Sequence, residues 1–100
     1  MKEETLLIIK PDSVKKQIIG NIISIVENKD IKIKNIISVQ LDEITAKEFY
    51  KEHSNKVFYN ELVNFITSDK VIVLFLEGVN IIEKIRSKVF ADNNVLHITV

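Results

Sequence analysis

Two stretches of the chain are apolar at most positions on both sides of a two-residue alternation. They are residues 5–10, TLLIIK, and residues 71–77, VIVLFLE. A strand with two buried faces has this pattern, and Pro11 cannot continue a hydrogen-bonded strand after the first stretch. Gly78 follows the second stretch and is predicted to end it. Both stretches are therefore predicted to be central strands of a sheet.

Two further stretches alternate apolar and polar residues with the period of a strand. In residues 31–41, one side of the alternation carries Ile31, Ile33, Ile37, Val39 and Leu41. One face of this predicted strand is expected to be buried and the other partly exposed. In NVLHITV, residues 94–100, one side carries Leu96, Ile98 and Val100, and the other carries Val95, His97 and Thr99. This stretch is predicted to be the fourth strand.

Between the predicted strands, apolar residues recur at helical spacing. The first helix is predicted to begin at Asp12 or Ser13, either of which can cap it, and to run to about Asn28. Asp42 is predicted to cap a second helix that ends near Tyr50. The remaining helices are predicted over residues 58–67 and, with Asn80 as the cap, over a segment that contains Ile81, Ile82, Ile85 and Val89.

The predicted order of elements is β, α, β, a helical pair, β, α, β. The two strands that are apolar on both faces belong in the centre of a sheet, and the alternating strands can lie outside them. This order predicts an α+β fold of the ferredoxin-like, split βαβ sandwich type, with a four-stranded antiparallel sheet and helices on one face. A chain of 100 residues suffices for one compact core, so residues 1–100 are predicted to form a single domain.

The composition argues against several classes of protein. Apolar residues make up 46% of the chain and charged residues 28%, which is typical of a folded protein and not of a disordered one. The formal net charge is zero, so no overall field attracts nucleic acid or an anionic membrane, and we expect neither as a partner. The chain has no cysteine, and its acidic start, MKEETLL, is unlike a signal peptide. We therefore expect a cytoplasmic protein.

Two residues are candidates for chemistry on the pattern alone. Lys10 stands between a predicted strand and a predicted helix, where a basic side chain can meet phosphate oxygens, although a solvated lysine that closes a strand explains the same pattern. His97 can act as a nucleophile through a neutral imidazole nitrogen, or it can be an ordinary residue of the last strand. The other histidine, His53, is predicted to be a polar surface residue.

Three blocks of sequence, in order and at matching spacing, resemble nucleoside-diphosphate kinases. They are IIKPDSV with the following Gly20, then EFYKEHSNKVFYNELVNFITS, then LEGVNIIEKIR, and the resemblance needs no insertion or deletion from Thr5 to Arg86. The family implies a ferredoxin-like fold, which agrees with the order of elements. It also implies transfer of the γ-phosphoryl group from a nucleoside triphosphate to a diphosphate through a phosphohistidine, with Mg²⁺, in a homo-oligomer. Glu77, Gly78 and Asn80 match the family's strand-end motif and are expected to serve the turn.

The resemblance assigns site residues one by one. Lys10 matches a phosphate-binding lysine, and Tyr50 matches the tyrosine beside it. Phe58 matches the aromatic residue on which the base stacks, although the hydrophobic pattern alone places Phe58 in the core. Arg86, the only arginine in the chain, matches a phosphate-contacting arginine. No side chain of the protein is assigned as a metal ligand, and Mg²⁺ is expected to come with the nucleoside di- or triphosphate.

The sequence departs from the family at several turns and most of all near its end. Lys16-Gln17 stands where a basic residue and a glycine usually lie, Val57 replaces a proline, and Asp69-Lys70 replaces Gly-Pro. After Arg86 only fourteen residues remain. The family has a long loop there, with a threonine and a second arginine, then a strand, an N-x-x-H-G-S-D segment and a C-terminal tail. A shortened member of the family is therefore expected.

The last segment aligns with the family in two ways. In the first, Asn94 to His97 is the family's N-x-x-H, so that Asn94 contacts the nucleotide and His97 carries the phosphoryl group, although Gly-Ser-Asp does not follow. In the second, NVLHITV is the fourth strand and the active histidine is absent, and the regular alternation favours this alignment. The first alignment predicts a kinase. The second predicts a relative without phosphotransfer that acts as a nucleotide-binding or oligomerisation module.

Overall fold

The computed structural model of the chain describes residues 2–85 and 95–99, with side chains as far as Val95. The order of elements agrees with the prediction, apart from a break in the first helix. The bounds are β1 (Lys2–Ile9), α1 (Pro11–Lys15), α2 (Ile19–Asn28), β2 (Lys32–Val39), α3 (Glu43–Phe49), a 3₁₀ turn (Lys51–His53), α4 (Tyr59–Ile66), β3 (Val71–Val79), α5 (Ile81–Ile85) and β4 (Val95–Thr99). Among these residues, no helix is both long enough and apolar enough to cross a membrane.

The strands form one sheet in the order β2-β3-β1-β4. Each neighbouring pair is antiparallel, and Leu7 lies opposite Leu74 in the middle of the β1–β3 pairing. Three long strands make most of the sheet, and the five-residue β4 extends it along the second half of β1. The central position of β1 and β3 is confirmed. Their order between β2 and β4 is that of a split βαβ fold.

Helices cover both faces of the sheet, so the prediction of helices on one face is wrong. Leu7 belongs to a core cluster that includes residues of α2 and α5, whereas its neighbour Ile8 belongs to a second cluster that includes residues of α3 and α4. Successive side chains of a strand point to opposite faces. Because β1 and β3 are apolar on both faces, each face needs a cover of its own, and the α3–α4 pair supplies the second one.

The predicted first helix is two helices, and its predicted caps are wrong. Pro11 is the first residue of α1, and Lys10 is the cap residue, with no side-chain hydrogen bond at the cap. The Lys10 carbonyl accepts hydrogen bonds from the backbone N–H groups of Ser13 and Val14, both at 3.0 Å. Proline fits the first helical position because it needs no partner for an N–H. The break falls at Gln17, which adopts a φ of 60°.

The substitution Gln17→Gly is expected to stabilise the protein. A non-glycine residue pays about 1–2 kcal/mol in the left-handed region, and glycine avoids this cost while losing somewhat more entropy on folding. We expect a net gain of about 0.5–1 kcal/mol, or about 2–8 °C in the midpoint of thermal unfolding. Lys16→Gly is the matched control because Lys16 has an ordinary φ of −72°. Equal effects of the two substitutions would contradict this account.

Strand β2 differs from its prediction because of a bulge between Ile33 and Asn35. Before the bulge, Ile33 lies opposite Leu76 of the first core cluster, and after it Ile37 lies opposite Val73 of the second. The predicted single apolar side is therefore split between the two faces of the sheet. On this edge strand the side chains of Ile36, Ile37 and Val39 are 49%, 39% and 36% exposed.

Two smaller predictions have opposite outcomes. Asp42 is confirmed as the cap of α3, since its carboxylate accepts a hydrogen bond of 2.7 Å from the Thr45 backbone N–H. This bond holds the pKa of Asp42 below its usual value.

Gly78 does not end β3, which continues to Val79. A Cβ at Gly78 would lie 3.6 Å from the Asp30 carbonyl oxygen, so the turn before β2 packs closely over this glycine. The predicted helical position Val89 lies outside the described residues.

Candidate functional site

Lys10 lies at the junction of β1 and α1 and is partly exposed. Its backbone is extended, with φ −69° and ψ 160°. Residues two apart in an extended backbone share a face, so Lys10 follows Ile8 on the side of the sheet that α3 and α4 cover. The ammonium group is thus attached at the edge of the second core cluster.

Tyr50 lies in that same cluster, directly after α3. Only 5% of its surface is exposed, and burial raises the pKa of its hydroxyl group. The hydroxyl group therefore stays protonated at neutral pH and can donate a hydrogen bond to an anion. Ile8 and Tyr50 belong to one cluster, so Tyr50 lies on the face of the sheet to which Lys10 is attached.

Phe58 is 41% exposed, so its placement in the core by the hydrophobic pattern is wrong. It precedes α4 at the end of the α3–α4 connection, next to Val57, which is 99% exposed. The Lys56 ammonium lies over the Phe58 ring at 5.8 Å from its centroid. An aromatic ring with free surface beside a cation is suited to stacking against a flat, polar ligand such as a nucleobase.

His53 is the residue that the sequence analysis missed. It is partly buried, and its ring centroid lies 5.8 Å from that of Phe58 with an angle of 48° between the planes. Its Nδ1 atom is buried and has no hydrogen-bond partner among the described residues. A histidine in the polar tract HSNK gives no hydrophobic signal, and the contact depends on tight turns that only the folded backbone reveals.

Glu77 lies at the opposite end of the sheet from Lys10. It is buried, and its carboxylate lies 3.4 Å from Lys2 Nζ, 3.7 Å from Lys34 Nζ and 3.9 Å from Lys32 Nζ. Burial raises the pKa of Glu77, but the contact with Lys2 and the charges of all three lysines outweigh it and hold the pKa below its usual value. The carboxylate therefore links three strands and does not face the Lys10 end.

Three predicted site residues fall wholly or partly outside the described part of the chain. Arg86 and Asn94 are outside it, and so is the side chain of His97. The backbone of His97 lies in β4 opposite Leu7, which confirms the predicted fourth strand. Lys10 follows β1, three residues after Leu7, so the backbones of His97 and Lys10 are separated by about 10 Å along the strand direction.

A magnesium ion at this site is expected to be bound mainly by water molecules and nucleotide phosphates. Within residues 2–85 and 95–99, no group of three or more His, Cys, Asp or Glu side chains could hold a metal ion. Mg²⁺ keeps several water ligands and is commonly held through nucleotide phosphates. The residues present at the Lys10 end fit a metal that binds as part of a nucleotide complex.

Known proteins resemble this chain over nearly all its length. The sequence model of the nucleoside diphosphate kinase family matches residues 3–95. The nucleoside diphosphate kinase of Methanocaldococcus jannaschii is 42% identical over 93 residues, which are 93% of this chain and 66% of that protein. The enzyme of Thermobifida fusca is 45% identical over 94 residues, 94% of this chain and 70% of that protein. The chain thus spans about two thirds of the length of its curated relatives.

Solved structures give the same result. The nucleoside diphosphate kinase of Aquifex aeolicus superposes with a TM-score of 0.81 and 34% identity, over 86% of this chain and 61% of that one. The Halobacterium salinarum enzyme, solved in complex with CDP, superposes with a TM-score of 0.82 and 36% identity, over 86% of this chain and 57% of that one. The predicted α+β, ferredoxin-like fold is thereby confirmed. His97 lies beyond the residues that the family model matches.

Proposed function

Because this chain belongs to the nucleoside diphosphate kinase family, we propose that it binds nucleoside di- and triphosphates at the Lys10 end of the sheet. The observation that carries the proposal is the arrangement of Lys10, Tyr50 and Phe58. Tyr50 belongs to the second core cluster, Lys10 follows Ile8 of that cluster, and Phe58 exposes its ring at the end of the connection that starts at Tyr50. The CDP complex of the Halobacterium salinarum relative supports the same class of ligand.

Each residue has a defined role in this proposal. The Lys10 ammonium group pairs with phosphate oxygens, and the Tyr50 hydroxyl group donates a hydrogen bond beside it. Phe58 stacks on the base, which tolerates any nucleobase because every base offers a π-face. Arg86 and Asn94 enter from the family resemblance as further phosphate and nucleotide contacts. Mg²⁺, bound to the phosphates, would neutralise part of their charge.

The reaction that we propose is transfer of a γ-phosphoryl group between nucleotides. An imidazole nitrogen of His97 attacks the γ-phosphorus, and the bond from that phosphorus to the bridging oxygen breaks, so that a nucleoside diphosphate leaves. The terminal phosphate oxygen of a second diphosphate then attacks the phosphohistidine and regenerates the imidazole. The competing function is nucleotide binding without transfer, which is favoured by the pairing of the His97 backbone with Leu7 inside the sheet.

Calorimetric titration of the whole chain with ADP, CDP and inorganic tripolyphosphate tests the binding proposal. We expect saturable binding of both nucleotides in the presence of Mg²⁺, with a smaller affinity for tripolyphosphate because it lacks the base. A folded protein that binds neither nucleotide at millimolar concentration would reject the proposed function. Incubation with ATP and CDP, followed by measurement of CTP, separates the kinase from the binding module.

We also propose that the chain forms a homo-oligomer through the edge strand β2. Strand β2 lies at the edge of the sheet, and its side chains Ile36 and Ile37 are about half exposed. These exposed apolar side chains support the edge as an interface. An antiparallel pairing of two copies centred between Ile36 and Ile37 would place Lys34 opposite Val39 of the other copy. No lysine would then face a lysine, and the backbone groups of both edges would be paired.

Ile36→Lys is expected to convert this oligomer to smaller species, because a charge on an edge strand opposes strand pairing. Light scattering coupled to size-exclusion chromatography at several protein concentrations measures the change. Ile44→Lys is the control, since Ile44 is 82% exposed and belongs to α3 and not to the edge strand. A wild-type protein that is monomeric at all concentrations would contradict the proposal, as would equal effects of the two substitutions.

A further inference from the structure

The surroundings of Phe58 are more ordered than its exposure alone indicates. The backbone from Tyr50 to Tyr59 is a series of tight turns. The His53 N–H donates to the Tyr50 carbonyl at 2.8 Å, and the Lys56 N–H donates to the His53 carbonyl at 2.9 Å. The Tyr59 N–H then donates to the Lys56 carbonyl at 3.1 Å. His53 therefore stands in a continuous chain of hydrogen bonds between the end of α3 and the start of α4.

The side chain of His53 meets Phe58 ring to ring. A centroid separation of 5.8 Å and a tilt of 48° lie in the range of favourable aromatic pairs. The buried Nδ1 atom has no hydrogen-bond partner among residues 2–85, so this nitrogen does not hold the ring by a polar bond within the described fold. The His53 ring packs against the Phe58 ring, and this contact restricts the rotation of Phe58 as well as that of His53.

We propose that His53 is a positioning residue that holds the Phe58 ring in the orientation used for stacking on a nucleobase. This inference rests on the proposed function, because it concerns the base half of that site. The Lys56 ammonium lies over the Phe58 ring, so a base must use ring surface that Lys56 leaves free. An unsupported Phe58 at the surface would rotate among several rotamers, and binding would have to order it at an entropic cost.

The test compares a ligand with a base and one without. In the whole chain, His53→Ala is expected to weaken ADP binding about 3- to 10-fold, which is less than the about 5- to 150-fold expected for loss of the whole stacking ring. Binding of inorganic tripolyphosphate should be unchanged, because the phosphate contacts of Lys10 do not involve His53. A general loss of structure would weaken both ligands alike. Isothermal titration calorimetry measures both affinities.

Two further variants complete the test. His53→Phe keeps an aromatic ring against Phe58 and is expected to bind ADP within about 2-fold of the wild type. Ser54→Ala changes an exposed neighbour and should have no effect. If His53→Phe binds ADP as weakly as His53→Ala, His53 acts through a polar contact and the positioning role is wrong. If the wild type binds ADP and His53→Ala binds it equally well, the inference is wrong while the proposed function stands.

Discussion

Lys10→Ala is expected to remove about half or more of the thermal stabilisation that a nucleoside triphosphate gives the protein. A ligand at 100 times its dissociation constant stabilises the folded state by about 2.7 kcal/mol, which is about 10–20 °C for a chain of this size. A hydrogen bond to a charged group contributes about 1.5–3 kcal/mol, so loss of the ammonium group should raise the dissociation constant about 10- to 100-fold. At the same ligand concentration, about 0.4–1.4 kcal/mol of stabilisation would remain.

The matched control for Lys10→Ala is Lys15→Ala. Lys15 lies at the end of the same short helix, is exposed, and makes a salt bridge of 3.7 Å with the exposed Asp69. Surface pairs of this kind contribute little, so its loss should leave both stability and nucleotide affinity nearly unchanged. Differential scanning fluorimetry with and without MgATP measures both variants. If MgATP raised the midpoint of thermal unfolding equally in the wild type and in Lys10→Ala, Lys10 would not be a nucleotide-binding residue.

The strong hydrophobic patterns predicted the central strands of this fold, but they did not predict the β-bulge in β2 or the break between α1 and α2. Residues 5–10 and 71–77 had to be central strands because no other environment buries both faces of a strand. The bulge at Ile33–Asn35 was not predictable, since the apolar positions resume in the same phase after it and a single polar residue, Asn35, is a weak signal. The break between α1 and α2 was not predicted because it falls at Gln17, a residue type that rarely adopts a positive φ. A glycine would have indicated a positive φ, and glutamine does not.

The position of the α3–α4 pair, which covers the second face of the sheet, shows a different limit of prediction from sequence patterns. The sequence predicted the helical pair α3–α4 but not its side of the sheet, although the apolar character of both faces of β1 already required a cover for each. Secondary-structure patterns determine what each element can bury, and the choice of partner follows only when every apolar face is assigned a cover.

The candidate site was predictable only in part, and for a physical reason. Lys10 and Phe58 were identified because short motifs recur at matching spacing, not because their physical chemistry is distinctive. Charge and hydrophobicity alone would have made Lys10 a solvated lysine and Phe58 a core residue. The exposure of Phe58, the burial of Tyr50 and the contact with His53 are tertiary properties. Of these residues, Tyr50 shares a core cluster with Ile8 of β1.

The substitution His97→Asn is expected to abolish phosphoenzyme formation and to lower nucleotide exchange by at least about 10³-fold, because no other group can replace a nucleophile that forms the covalent intermediate. Incubation with γ-labelled ATP should label the wild-type protein, and a nucleoside diphosphate should remove the label. The chain has two histidines. His53→Phe is therefore the control, since it leaves His97 as the only histidine and should still be labelled at saturating ATP.

The outcome decides between the two alignments of the last segment. In the β1–β4 register His97 lies opposite Leu7, which packs in the cluster with α2 and α5, whereas Lys10 lies on the face that α3 and α4 cover. A phosphoryl group on His97 therefore requires that the last segment adopt another register, as in the first alignment. A well-folded protein that binds ATP but takes up no label would reject the phosphohistidine. It would assign His97 to the sheet alone, and the Lys10, Tyr50 and Phe58 site would then be a nucleotide-binding site without transfer.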